Sequence, residues 1–167
     1  MAAGTKPSAN DPPAVVIAYR PHPGCARTLR EVCAGIEEEG IHFRTVSLEA
    51  TDAAALAHEA ASRSPLLVGV GVHESELCVH TAALPADAPV ERHAVSSHER
   101  ACQRHVGHNA ARLAKVMPLK GYRDGEETDV LWPGEARRGQ VRRRDHNGDK
   151  AAVAHDDTTN NAEVSKA

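Results

Sequence analysis

The run "AVVIAY" at residues 14–19 constrains the fold more than any other feature of the sequence. It is continuously apolar, with no polar alternate positions to turn toward water. A strand of that kind must be covered on both faces, which implies a sheet with helices above and below it. "RPHPG" (20–24) breaks the run. Residues 25–39 then follow helical periodicity, with Cys25, Leu29, Val32, Cys33 and Ile36 recurring at steps of three and four on one apolar stripe. Gly40 is placed to cap that helix at its C-terminus. "HFRTVSL" (42–48) alternates as a second strand, and "TDAAALAHEAASR" (51–63) reads as a helix capped by Thr51. "PLLVGVGV" (65–72) is a third apolar strand. Its glycines lie inside the strand rather than at a strand-to-helix turn, so they signal close backbone packing and not a dinucleotide loop. "ELCVH" (76–80) and "VERHAV" (90–95) are two further strands, and residues 97–117 form a last helix lined by Cys102, Val106, Ala110, Leu113 and Met117.

Strands and helices in alternation predict an α/β fold: a three-layer sandwich with a mostly parallel sheet flanked by helices, and disordered tails. Residues 1–13 read as a disordered arm, 14–118 as the folded domain and 119–167 as a charged tail. The tail holds few large apolar side chains, too few to offset the entropy of folding alone. It contains "RRGQVRRR" (137–144), but without aromatic interleaving the arginines read as solvated, and no nucleic-acid partner is expected.

The net charge of −3 gives no general attraction to polyanions. No apolar run approaches the roughly 20 residues that span a bilayer, and "MAAGTKPSANDPP" lacks a signal-peptide core. A cytoplasmic protein without membrane contact is expected. Cys25, Cys33, Cys78 and Cys102 form no CxxC pair and read as small buried hydrophobes. No GxSxG, P-loop or dinucleotide motif is present, so no catalytic residue is assigned. His105 and His108 fall one turn apart on the last helix, among Arg100, Arg104, Arg112 and Lys115. Those cations argue against a metal and for a basic, solvated or partner-facing surface.

The triplet Glu37-Glu38-Glu39 ends the first helix, where the helix dipole disfavours anions. At about 100° per residue, Glu37 and Glu39 flank the apolar stripe. Glu38 points away from it, in line with Glu31 and Arg27. Glu38 is therefore expected to meet water or a partner. Its functional reading is a carboxylate offered to a hard cation, Mg2+ being held by one or two carboxylates with other oxygens and waters.

"LREVCAGIEEEGIHFR" (29–44), "ASRSPLLVGVGV" (61–72) and "GHNAARLAKVMPLK" (107–120), with the short "VH" strand and "LPADAP" between them, resemble the small subunit of diol and glycerol dehydratase-reactivating factors. The resemblance covers residues 14–120. It implies a non-catalytic subunit that pairs with a large, actin-like ATPase subunit into a two-plus-two heterotetramer. ATP or ADP would bind the large subunit only. The complex would release damaged cobalamin from its client, the diol or glycerol dehydratase, by subunit swapping, in the cytoplasm or inside a bacterial microcompartment. The resemblance also implies that Glu38 ligates Mg2+ at the subunit interface. The alternative is an accessory, medium-subunit-like chain of the dehydratase itself. His108, where relatives often carry asparagine, the "YRPHPGC" loop and the long tail depart from the family pattern.

Overall fold

The computed structural model describes residues 12–95, 99–123 and 125–128. Of the disordered arm expected at 1–13 and the tail expected at 119–167, residues 1–11, 124 and 129–167 lie outside the described residues. So does the arginine run.

β1 (Ala14–Tyr19), β2 (His42–Ser47), β3 (Val68–His73), β4 (Glu76–Thr81) and β5 (Glu91–Ala94) form one sheet in the order β2-β1-β3-β4-β5. β1 pairs in parallel with both β2 and β3, and β4 then returns antiparallel to β3 and β5 antiparallel to β4. The expected α/β sandwich is present, and its sheet is mixed. The connection between β3 and β4 is only Glu74 and Ser75, with Glu74 at φ 48°. A link that short joins antiparallel neighbours and cannot make a crossover.

α1 (Cys25–Glu38) connects β1 to β2, and α2 (Ala53–Arg63) connects β2 to β3. The first step along the sheet runs one way and the second the other. Right-handed crossovers therefore put the two helices on opposite faces. α3 (Arg100–Ala114) joins α1. Between this helix pair and the sheet lie Val15, Ile17, Val32, Ile36, Val70, Val72, Leu77, Val79 and Val106. On the other face Val16, Ala18, Leu56 and Ala60 pack together under α2.

The helix ends follow local chemistry. Asp52, not Thr51, caps α2: its Oδ1 accepts from the Ala55 amide at 2.8 Å. α1 ends in a Schellman turn. Gly40 takes φ 73°, its amide donates to the Glu37 carbonyl at 2.8 Å, and the Ile41 amide donates to Ile36 at 3.3 Å.

Glycine sets two close approaches. A Cβ on Gly69 or Gly71 would drive into the backbone of Ala61, Ala57 or Ala53, so α2 lies directly on β3. A Cβ on Gly35 would strike the Arg104 carbonyl, and one on Gly107 the Val32 carbonyl, so α1 and α3 cross backbone to backbone.

The boundary drawn at 118 leaves out a short hairpin, β6 (Gly121–Arg123) with β7 (Glu126–Thr128). It packs on α3 and brings Tyr122 and Glu127 to that helix. We expect Gly35→Ala to destabilise the fold by about 2 kcal/mol, the cost of overpacking a tight contact. Urea unfolding should show a lower midpoint at unchanged slope.

Candidate functional site

The crossing at Gly35 and Gly107 brings a row of carboxylates on α1 against a row of basic side chains on α3. Glu31 and Glu38 are two turns apart on α1, and Arg100, Arg104 and His108 repeat every four residues on α3. Glu31 is 3% exposed. It accepts from Arg100 Nε at 2.7 Å and from Arg104 Nη2 at 2.8 Å. The Arg100 hydrogen bond is the largest influence on its carboxyl and lowers its pKa. Burial opposes that shift, and Arg104 adds to it.

Glu38 lies at the last turn of α1. Arg104 Nη1 donates to its Oε1 at 3.0 Å and His108 Nε2 to its Oε2 at 2.7 Å. The expectation that Glu38 meets only water or a partner is corrected. The wheel identified one apolar stripe, but α1 buries a second, polar flank against α3. Glu38 nevertheless keeps 48% of its side chain exposed. A carboxylate has about four lone-pair positions, and two hydrogen bonds leave the others facing out.

The rest of the triplet divides. Glu37 is exposed. Glu39 accepts from Lys115 Nζ at 2.5 Å and pairs with Arg112 Nη1 at 3.5 Å. Lys115 also donates to the Glu39 carbonyl at 2.9 Å. A cation thus sits at the negative end of the helix dipole, which accounts for acidic residues at a helix C-terminus. Burial pushes the Glu39 carboxyl up, but the contacts with Lys115 and Arg112 outweigh it and leave the pKa lowered.

The histidines of α3 are not a solvated basic surface. His105 is fully buried, and the side chain of His108 is 14% exposed. Glu127, from the hairpin beyond the expected boundary, holds both. Its Oε1 lies 2.6 Å from His108 Nδ1 and 3.2 Å from His105 Nδ1, while Lys120 Nζ donates to Oε2 at 2.7 Å. Burial raises the Glu127 pKa, but the hydrogen bonds from His108 and Lys120 overcome it and hold the carboxyl at about 2. Further in, His105 Nε2 lies 3.0 Å from Glu91 Oε1, and His93 Nε2 lies 2.7 Å from the same oxygen. One polar network therefore runs from Glu31 on α1, across α3, to β5. Glu91, His93 and Glu127 were not singled out in the sequence. The four-residue repeat of basic side chains on α3 facing Glu31 and Glu38 was the visible signal.

Asn109 is fully buried. Its Nδ2 donates to Glu91 and to the Lys120 carbonyl at 2.9 Å, and its Oδ1 accepts from the Lys120 amide at 2.9 Å. Asn109 thus fixes the turn after α3. No helix among the described residues is long and apolar enough to cross a membrane.

Residues 12–120 match the dehydratase medium subunit family. The chain belongs to that family. It is 40% identical over 120 residues to the diol dehydratase-reactivating factor small subunit of Klebsiella michiganensis, covering 70% of this chain and 94% of the relative. It is 43% identical over 96 residues to the propanediol dehydratase-reactivating factor small subunit of Salmonella typhimurium, covering 58% and 82%. Among solved structures, a glycerol dehydratase reactivase superposes with a TM-score of 0.59 at 40% identity, covering 66% of this chain and 98% of the other. A diol dehydratase-reactivating factor complexed with ADP and Mg2+ gives a TM-score of 0.58 at 41% identity, covering 66% and 100%. The relatives place the chain with the reactivating-factor small subunits.

Glu31 gives the seam a defined acid lability. Its folded pKa is lowered from an ordinary value of 4.5. Its pairing therefore contributes stability in full above about pH 4.5, and that contribution is lost as pH falls below it. Glu31→Gln should cost about 2 kcal/mol at neutral pH, the scale of a lost charged hydrogen-bond partner. It should also flatten the decline in stability below pH 4.5. Urea midpoints of both chains from pH 7 to 3 check this.

Proposed function

We propose that this chain is the non-catalytic small subunit of a dehydratase-reactivating factor. It pairs with a large ATPase subunit in a two-plus-two heterotetramer. Nucleotide binds the large subunit. The complex releases damaged cobalamin from a diol or glycerol dehydratase when this chain gives up its place to the dehydratase's medium subunit. Glu38 contributes one ligand to a Mg2+ ion shared across the interface. The supporting observation is the position of Glu38: a half-exposed carboxylate at a helix end, held in place by Arg104 and His108 with lone pairs directed outward. One carboxylate with outward lone pairs fits Mg2+, which takes one or two from a protein and fills the rest of its shell with other oxygens and waters. The reactivating-factor relatives support the same reading.

The second reading, an accessory subunit of the dehydratase itself, shares the family fold but ranks below the first. The curated relatives named above are reactivating-factor subunits.

Glu38→Gln tests the ion bridge, because it removes the charge and retains an acceptor for Arg104. Its fold should survive, since pairs this exposed are worth about 0–1 kcal/mol. Affinity for the large subunit should fall about tenfold in Mg2+ and match the unsubstituted chain in EDTA. Equal affinity in Mg2+ would remove Glu38 from the ion. Purified alone, the chain should hydrolyse no ATP. Copurification with dehydratase subunits alone, whatever the nucleotide, would favour the second reading.

A further inference from the structure

The inner end of the network lies apart from Glu38 and has its own chemistry. β5 contributes Glu91 and His93, two residues apart and so on one face of the strand. α3 contributes His105. One ligand-type atom from each converges, all within 4.8 Å of one another. Unlike Glu31, which two arginines neutralise, the buried Glu91 is met by His93, His105 and Asn109.

His105 Nε2 lies 3.0 Å from Glu91 Oε1, and the Asn109 amide beside them donates to Glu91 and to the Lys120 carbonyl. A metal ion in the place of the proton between His105 and Glu91 would receive lone pairs from both the imidazole nitrogen and the carboxylate. The other ring nitrogen of His105, Nδ1, faces Glu127 Oε1 at 3.2 Å. A carboxylate oxygen accepts, so Nδ1 donates, and in the neutral ring the lone pair is then on Nε2, toward the cluster. This is the carboxylate–histidine arrangement that orients metal-bound imidazoles.

We propose that Glu91, His93 and His105 form a three-ligand site for a zinc-class divalent transition metal. Two imidazoles and a carboxylate suit that class better than Mg2+, which favours an all-oxygen shell. Ligand atoms around tetrahedral zinc stand roughly 3.3 Å apart, given bonds near 2.0 Å. The Glu91–His93 and Glu91–His105 separations of 2.7 and 3.0 Å would open by about 0.6 and 0.3 Å, while the two imidazole nitrogens lie within 4.8 Å of each other. Tyr122 covers His105, with ring centroids 5.0 Å apart, while His93 is a partly exposed way in. Cys102 lies beside His93 and helps to raise its pKa. The fourth position is left for water or a partner's group.

Metal-stripped full-length chain titrated with Zn2+ against a competing chelator tests the site, with the thermal midpoint and the visible spectrum of the Co2+ form as further readouts. The expected result is one tight ion per chain, a raised midpoint and a tetrahedral Co2+ spectrum. His93→Ala should weaken Zn2+ binding at least tenfold, and Glu127→Gln should weaken it about tenfold, as loss of an orienting carboxylate does. His58→Ala, on the opposite face of the sheet, should bind as the unsubstituted chain does. The proposal is overturned if the unsubstituted chain shows neither a midpoint shift nor a tetrahedral Co2+ spectrum. Equal affinity in a folded His93→Ala chain would overturn it too.

Discussion

The contact between Gly35 and Gly107 is the constraint on which the upper half of the molecule depends. Two hydrogens where side chains would otherwise stand let α1 and α3 touch backbone to backbone. Below that contact Val32, Ile36, Val106 and Ala110 close the core against the sheet. Above it, the charged flanks come close enough for Glu31, Glu38 and Glu39 to reach Arg100, Arg104, His108, Arg112 and Lys115 directly. Wider spacing would leave long side chains bridging through water, where exposed pairs contribute little. The glycines thus turn two amphipathic helices into one surface with fixed polar geometry.

Much of the fold was legible because burial leaves a simple trace. The unbroken apolar runs of β1 and β3 required helices on both faces, and the interior glycines of β3 forecast the close seat of α2. The mixed sheet was also available: two residues between His73 and Glu76 cannot form a crossover, and that outweighs the count of alternating elements. The polar seam was harder to read. A wheel drawn on α1 alone divides it into an apolar side and everything else, so Glu31 and Glu38 looked solvent-bound. Only the complementary spacing on a helix some seventy residues later shows that flank to be covered. His105 was obscured the same way, its arginine neighbours belonging to a different face of α3 from the one that meets β5. The hairpin after α3 has strands of three residues each, too short for any alternation to register, yet it supplies Glu127.

Glu31 and Glu91 show two answers to one problem. A carboxylate taken from water needs fixed positive charge or hydrogen-bond donors in return. Glu31 meets two guanidiniums whose charge does not depend on solution conditions. Glu91 meets two imidazoles. Burial raises its pKa, but His105 and His93 more than offset that and leave the carboxyl at about 2. Burial lowers the His93 pKa, and contacts with Cys102 and Glu91 bring it back up to about 10. The outer seam is therefore held by fixed guanidinium charge, whereas the inner cluster is held by imidazoles, which can also serve as metal ligands.

The ion pairs of Glu38 bear on how a small subunit could exchange partners. A carboxylate that contributed only to an interface ion would be left alone each time the partner departed. Here Arg104 and His108 hold it from within the chain, and its orientation needs no other chain. That prearrangement lowers the ordering cost of each new association. It also limits the strength of any shared ion, because two hydrogen-bond donors already draw on the same carboxylate. Moderate affinity is what repeated exchange requires, since a bridge much stronger than its intramolecular competitors would hold the pair together and end the cycle. In the proposed role, the acidic triplet is divided to suit: Glu39 secures the helix end through Lys115, Glu37 stays in solvent, and Glu38 remains held yet available.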